Sequence, residues 1–369
     1  MSGLVHGLLT PASWCYGAGV RARLWWYRVG GGRVRSLGRP VVSVGNLSVG
    51  GTGKTPIVIA LGEALLSRGV GVAVLSRGYG GALERAGGLV SDGSGRPHVE
   101  RHQQAAVERH QQAAADWTQA GDEPALIARR LPQATVIVGR DRAAVWSRVA
   151  PALGPGVCLL DDGFQHLAIA RDENLLLLDA TEPYADAALL PKGRLREPLS
   201  ALARASAVVV TRVDQAAPGA VDAIETLVRR VRSDLPLLYA RFALTGLVEV
   251  GSGREAPLDR LKGVRVLAAA GIGRFESFVA SLERAGASVA DAMPFRDHHP
   301  YRRADLDRIL ARARDARAEL VVTTEKDAIK LESLVRTGEA LWAARIEAQV
   351  EDAAQWNALI DRVAKGVAR

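Results

Sequence analysis

Six residues, Gly50-Gly51-Thr52-Gly53-Lys54-Thr55, carry the first legible chemistry in this chain. Glycines let backbone N–H groups converge on phosphate oxygens without Cβ clashes. A lysine beside them meets the β- and γ-phosphates of a nucleotide, and a threonine hydroxyl reaches Mg²⁺. Ser48 and Val49 complete the candidate cradle, although the usual pattern has glycine where this chain has Ser48. Pro56 follows, in a first helical turn where its missing N–H costs nothing. Without a ligand the same letters describe a glycine-rich turn. The order strand, Gly-Lys-Thr, helix favours a triphosphate site.

A second cluster is VCLLDDGFQH at residues 157–166. Apolar residues ending in acid describe a strand that delivers a carboxylate beside a metal. Asp161, Asp162, Gln165 and His166 crowd one strand end. The plain alternative is a turn with aspartate capping the next helix. GDEP, residues 121–124, reads alone as an ordinary helix start, with Asp122 favoured by the helix dipole. Asp297-His298-His299 offers an imidazole flanked by acid, either a general base or a surface loop. TTEKD at residues 323–327 follows a strand and is equally open. Arg140 and Arg142 flank an aspartate and could hold phosphate.

These residues need a scaffold. Short apolar runs lie at residues 40–44, 70–75, 135–138, 157–160, 175–178 and 207–210, with helix-like stretches at 56–68 and 125–131. Such runs separated by helices predict a buried parallel sheet, an α/β doubly wound fold of the P-loop type. The 369 residues suit two domains better than one. The expected division is an N-terminal amphipathic segment at 1–39, a P-loop domain at 40–236, a strand-like linker at 237–250, a smaller α/β domain at 251–345 and a C-terminal helix at 346–369. Gly271-Ile272-Gly273 in the smaller domain is a weak phosphate signal, since such turns serve strand-to-helix geometry alone. VERHQQAA occurs twice in tandem, at 99–106 and 107–114, too briefly for a solenoid. It predicts a lengthened helix start or a loop insertion.

The net charge of +8 is spread along the chain, and no basic run interleaved with aromatics supports nucleic acid. Only six of 48 basic residues are lysine, which lends weight to Lys54. Two distant cysteines indicate neither a disulfide framework nor a zinc site. The first 20 residues lack the basic start of a signal peptide and are interrupted by Gly and Pro, so neither a signal nor a spanning helix is expected. Arg21, Arg23, Trp25, Trp26 and Tyr27 fit either a membrane-interface segment or a helix packed on the core.

Taken together, the motifs resemble the tetraacyldisaccharide 4'-kinase family. The resembling pieces are GNLSVGGTGKTP at 45–56, LSRGYGG at 75–81, GDEP, VGRDR at 138–142, DDGFQH at 161–166, PKGRLREP at 191–198, the Asp297-His298 pair and TTEKDAIK at 323–330. Ser48 looks like the family's own variant of the loop. The resemblance implies ATP and Mg²⁺ as cofactors and a lipid acceptor, tetraacyl glucosamine disaccharide 1-phosphate, phosphorylated at its 4'-hydroxyl to give lipid IVA. It implies a peripheral enzyme, expected to be a monomer, on the cytoplasmic face of a bacterial inner membrane. It further implies catalytic roles for Asp122, His298, Asp162 and Lys54, and metal roles for Thr55, Asp161, Gln165 and Glu197. Arg77, Tyr79, Arg140, Arg142 and Lys192 are the implied substrate contacts. The sequence leaves open which of His298 and His299 faces the site. A rival class is a P-loop switch or metallochaperone, for which Thr211-Arg212-Val213-Asp214 offers a faint guanine-reading pattern.

Overall fold

A computed structural model describes residues 2–94, 97–101, 117–184 and 187–367. Most of the VERHQQAA duplication lies outside these residues. Fourteen strands among the described residues form one sheet. They are β1 Val41–Asn46, β2 Val72–Ser76, β3 Gly88–Asp92, β4 Pro97–Arg101, β5 Thr135–Val138, β6 Val157–Asp161, β7 Glu173–Asp179, β8 Ala207–Thr211, β9 Leu237–Glu249, β10 Glu255–Pro257, β11 Arg265–Ala270, β12 Ser288–Pro294, β13 Leu320–Thr324 and β14 Leu341–Val350. Their spatial order is β12-β11-β13-β14-β9-β8-β7-β1-β6-β2-β5-β3-β4, with β10 attached to β9.

The apolar runs became strands because each is covered on both faces. Val42 and Val44 of β1 enter one core while Val41 enters another. Leu175 and Leu177 of β7 likewise oppose Leu176 and Leu178. Alternation of this kind follows from the two-residue period of a strand. With both faces apolar, the pattern is continuous, as in parallel sheets. β1 lies parallel between β6 and β7, so the glycine loop leaves from the middle of the sheet. The second half repeats the scheme on a smaller scale. Val266, Ala268 and Ala270 of β11 face one core, and Leu267 and Ala269 the other.

The two halves share the sheet. β9 runs parallel to β8 at Leu237–Ala240, then antiparallel to β14 from Ala240 to Glu249. β14 pairs in turn with β13 at Leu341–Ala344. The expected linker is therefore a full sheet strand, and a boundary at 345 falls inside β14. The helix Ala353–Val367 packs back on the first half, where Leu359, Ile360 and Val363 join the core of the helix Lys54–Leu66. The helices Asp122–Arg130 and Glu325–Leu331 meet across the halves. There Arg130, nearly buried, donates to Glu325 at 3.0 Å.

Residues Ser2–Arg28 form one helix that runs through Pro11 and the glycines expected to interrupt it. Ser13 Oγ donates to the Leu189 carbonyl (2.8 Å), Tyr16 Oη to that of Arg196 (2.9 Å), and Arg23 to that of Gln165 (3.0 Å). The helix is thereby fastened to the PKGRLREP and DDGFQH loops. Trp14, Trp25 and Trp26 remain more than half exposed, at 72%, 61% and 52%. Among the described residues no helix is long and apolar enough to cross a membrane.

Candidate active site

The glycine loop joins β1 to the helix Lys54–Leu66. Gly53 has φ 88°, and a Cβ there would also collide with the Phe242 ring, so the position demands glycine twice over. Ser48 is buried and donates from Oγ to Glu182 at 2.8 Å. A glycine could not make that bond. Val49 exchanges backbone and side-chain hydrogen bonds with Arg194, whose guanidinium donates to the Val49 carbonyl at 2.7 Å. Thr211 Oγ1 donates to the Thr52 carbonyl (3.1 Å) and Arg212 to that of Gly51 (2.8 Å). Arg212 is ion-paired with the fully buried Asp179. The segment with the faint guanine-reading pattern therefore braces the phosphate loop.

Lys54 Nζ lies 3.6 Å from Asp162 and 3.3 Å from Asn46 Oδ1. Arg196 takes both oxygens of Asp162, at 2.8 and 2.9 Å. Burial alone would raise the Asp162 carboxyl, but Lys54, Arg196 and Arg142 hold it far below the usual carboxylate range. Asp162 has φ 47°, a conformation uncommon outside glycine that costs on the order of 1–3 kcal/mol. Asp161 differs. Ser76 donates to its Oδ2 at 2.9 Å, while its Oδ1 is buried with no protein partner. Burial, with Glu123 and Asp162 nearby, pushes its carboxyl up to about 7. One carboxylate is thus neutralised inside the protein, and its neighbour presents an unanswered oxygen.

Asp122 and His298 are 176 residues apart in the chain, yet His298 Nδ1 lies 3.0 Å from both Asp122 oxygens. Burial would raise the Asp122 carboxyl, but the His298 hydrogen bond and the charges of Lys326 and Lys330 bring it down to about 2. That same hydrogen bond raises the His298 imidazole above its ordinary value, against burial and Lys326. Lys330, almost fully buried, sits 3.4 Å from Asp122 and 2.9 Å from Asp327. Asp327 in turn accepts from the Gly271 N–H at 2.9 Å, which ties the Gly-Ile-Gly turn to the pair. His298 takes φ 58° to reach its partner. His299 turns instead to Asp305, at 3.2 Å. Tyr79, exposed, has its ring 5.5 Å from that of His298.

Other expected residues are placed differently. Arg142 is buried and donates to the carbonyls of Asp161 (3.0 Å) and Asp162 (3.4 Å). It holds the end of β6 with its two terminal nitrogens. Gln165 donates to the Asn46 carbonyl at 2.9 Å and leaves its Oε1 without a partner. Glu197 is buried and ion-paired with Arg204 at 2.6 Å. Arg77 is paired with Glu84 at 2.7 Å. Arg140 and Lys192 are exposed. Sequence reasoning missed Arg196, Lys326 and Lys330 as individuals, although the motifs contain them. Lys326 and Lys330 are two of only six lysines in an arginine-rich chain, and that rarity was the available signal.

A phosphate loop on one side and an imidazole backed by a carboxylate on the other suit transfer of a phosphoryl group to a hydroxyl. The fold and site together define a P-loop phosphotransferase. A sequence model of the family described as tetraacyldisaccharide-1-P 4'-kinase matches residues 5–365. The tetraacyldisaccharide 4'-kinase of Geobacter metallireducens (strain ATCC 53774 / DSM 7210 / GS-15) is 39% identical over 360 residues, covering 98% of each chain. That of Anaeromyxobacter dehalogenans (strain 2CP-C) is 41% identical over 318 residues, covering 85% of this chain and 78% of the relative. The crystal structure of LpxK from Aquifex aeolicus in complex with ATP superposes with a TM-score of 0.73 at 30% identity, covering 97% of this chain and 99% of that one. The chain belongs to the tetraacyldisaccharide 4'-kinase family.

Proposed function

We propose that this ATP-dependent kinase of lipid A biosynthesis transfers the γ-phosphoryl group of ATP to the 4'-hydroxyl of tetraacyl disaccharide 1-phosphate. The observation that carries the reading is the Asp122–His298 pair, built from opposite halves of the chain, with the neighbouring Asp297 and Gly51 of the phosphate loop both close to Gly273. His298 Nε2 takes the proton of the acceptor hydroxyl. The freed oxygen bonds to the γ-phosphorus, and the bond from that phosphorus to the ADP oxygen breaks. Lys54 answers the charge on the transferring group. Asp122 orients the imidazole and stabilises its cation. The decisive assay is purified protein with labelled ATP and tetraacyl disaccharide 1-phosphate in detergent. A 4'-phosphorylated product is expected, and its absence with active controls would sink the reading.

The residues fit a magnesium ion. Mg²⁺ takes oxygen ligands, commonly one or two carboxylates with phosphates and water. Asp161 Oδ1 is a buried acceptor without a protein partner, and the Thr55 hydroxyl stands at the helix start. Gln165 Oε1 is a further free acceptor. When bound, the ion would neutralise charge on the β- and γ-phosphates. Glu197, engaged by Arg204, is the weakest member of the expected set.

The lipid acceptor calls for a membrane approach. Trp14, Trp25 and Trp26 project from the helix Ser2–Arg28, beside arginines that suit anionic headgroups. We place that helix on the cytoplasmic face of the inner membrane. Replacing Trp25 and Trp26 by alanine is expected to weaken binding to anionic vesicles at least about tenfold, since each buried side chain contributes about 1.5–3 kcal/mol. Turnover of substrate dispersed in detergent should be nearly unchanged. Vesicle sedimentation beside a detergent assay measures both.

A further inference from the structure

Lys326 occupies the other side of the His298 ring. Its Nζ lies 3.3 Å from His298 Nε2, 3.1 Å from Asp297 and 3.5 Å from Glu123. An ammonium can only donate hydrogen bonds, and an ionised carboxylate can only accept them. Asp122 on Nδ1 and Lys326 on Nε2 are therefore both satisfied by a single state of the ring. That state is neutral, with its proton on Nδ1 and its lone pair on Nε2. We propose that Lys326 is a positioning residue for the reaction: it holds His298 as the neutral, Nε2-accepting base until the acceptor hydroxyl takes its place. The proposal rests on the role given above to His298.

The need for such a residue follows from Asp122. A carboxylate that orients an imidazole also favours its protonation, and a protonated ring cannot accept the hydroxyl proton. Four groups besides Asp122 set the balance. Glu123 lies on the helix of Asp122, Asp297 on the histidine's own loop, and Lys326 and Lys330 on the helix Glu325–Leu331. Tyr79 adds a ring contact without charge. Lys330 is ion-paired with the carboxylates of Asp122 and Asp327 and not in contact with the ring. Lys326 is the cation on the ring itself. Glu123 and Asp297 keep its ammonium charged and aimed, with burial overcome by their fields.

The experiment uses the full-length enzyme in detergent, labelled with ¹⁵N-histidine, as wild type, Lys326→Met, Lys326→Arg and His298→Ala. The His298→Ala spectrum assigns the resonance. In Lys326→Met the ring should protonate about one pH unit higher, because a unit charge in contact with it is gone. The acid limb of kcat/KM should move up by the same amount, with most activity recovered at high pH. Lys326→Arg keeps the charge and should restore at least half of the shift. An unmoved ring titration overturns the proposal, as does a uniform fall in kcat with the limb in place. A raised KM for ATP with the limb in place would make Lys326 a phosphate ligand instead. If His298→Ala retains wild-type turnover, the base assignment fails, while the ring titration still reports on Lys326.

Discussion

Replacing His298 with alanine lowers kcat by about 10²–10⁴-fold, the range typical for loss of a general base. The KM for ATP changes little, because the phosphate loop is braced by Arg194, Thr211 and Arg212, none of which touches His298. Asp122→Asn is the more informative partner. It keeps the shape and removes the charge that raises the imidazole. On the proposed mechanism His298 must be neutral to act, so activity should fall as pH drops through its raised pKa. In the variant that pKa is lower, so the acid limb moves to lower pH while the plateau drops. The loss on the plateau reflects a ring that is less basic and less firmly held. Steady-state rates across pH at saturating ATP measure both effects. Wild-type turnover in both variants would remove the pair from the mechanism.

Lys54→Met lowers kcat/KM for ATP by about 10²–10³-fold or more, the scale for removing one preorganised charge from the transition state. Phosphoryl transfer is mainly positioning and neutralisation, so the loss enters kcat as well as binding. Unfolding does not account for the effect. Asp162 loses one cation but keeps both hydrogen bonds from Arg196. The melting temperature should stay within a few degrees of wild type. Calorimetric titration with ATP and single-turnover rates separate the two contributions. A variant that binds ATP weakly yet transfers at the normal rate when saturated would restrict Lys54 to binding.

Much of the first half was legible in the sequence because buried parallel strands are written as unbroken apolar runs. The runs at 135–138 and 207–210 became β5 and β8 almost residue for residue. Strands that are short, polar or exposed went unread. β3 and β4 pair antiparallel at the edge of the sheet, and β12 forms an outer strand of half-buried residues. β14 was divided because its first four residues are buried while the rest are only partly buried or exposed and include Arg345, Glu347 and Gln349, which blurs its apolar signal. The site was legible in its local motifs, since loop, strand end and helix start each lie within a few residues. The contact of Asp122 with His298 depends on how two halves fold together, and only the family resemblance supplied it. Arg196 and the paired lysines belong to the same class: their types were visible, but their partners are distant.

Between Arg241 and Leu244 the ribbon of β9 and β14 is only two strands wide, since β8 has ended and β13 has not begun. A register shift at Arg345/Ile346 loosens the pairing further. A two-stranded stretch twists more readily than the sheet on either side. Phe242 stands on that stretch. Its ring packs against Gly53, and the Arg212 guanidinium stacks over it at 5.2 Å. One aromatic ring thus joins the narrowest stretch of the sheet to the glycine loop and to the arginine that braces it.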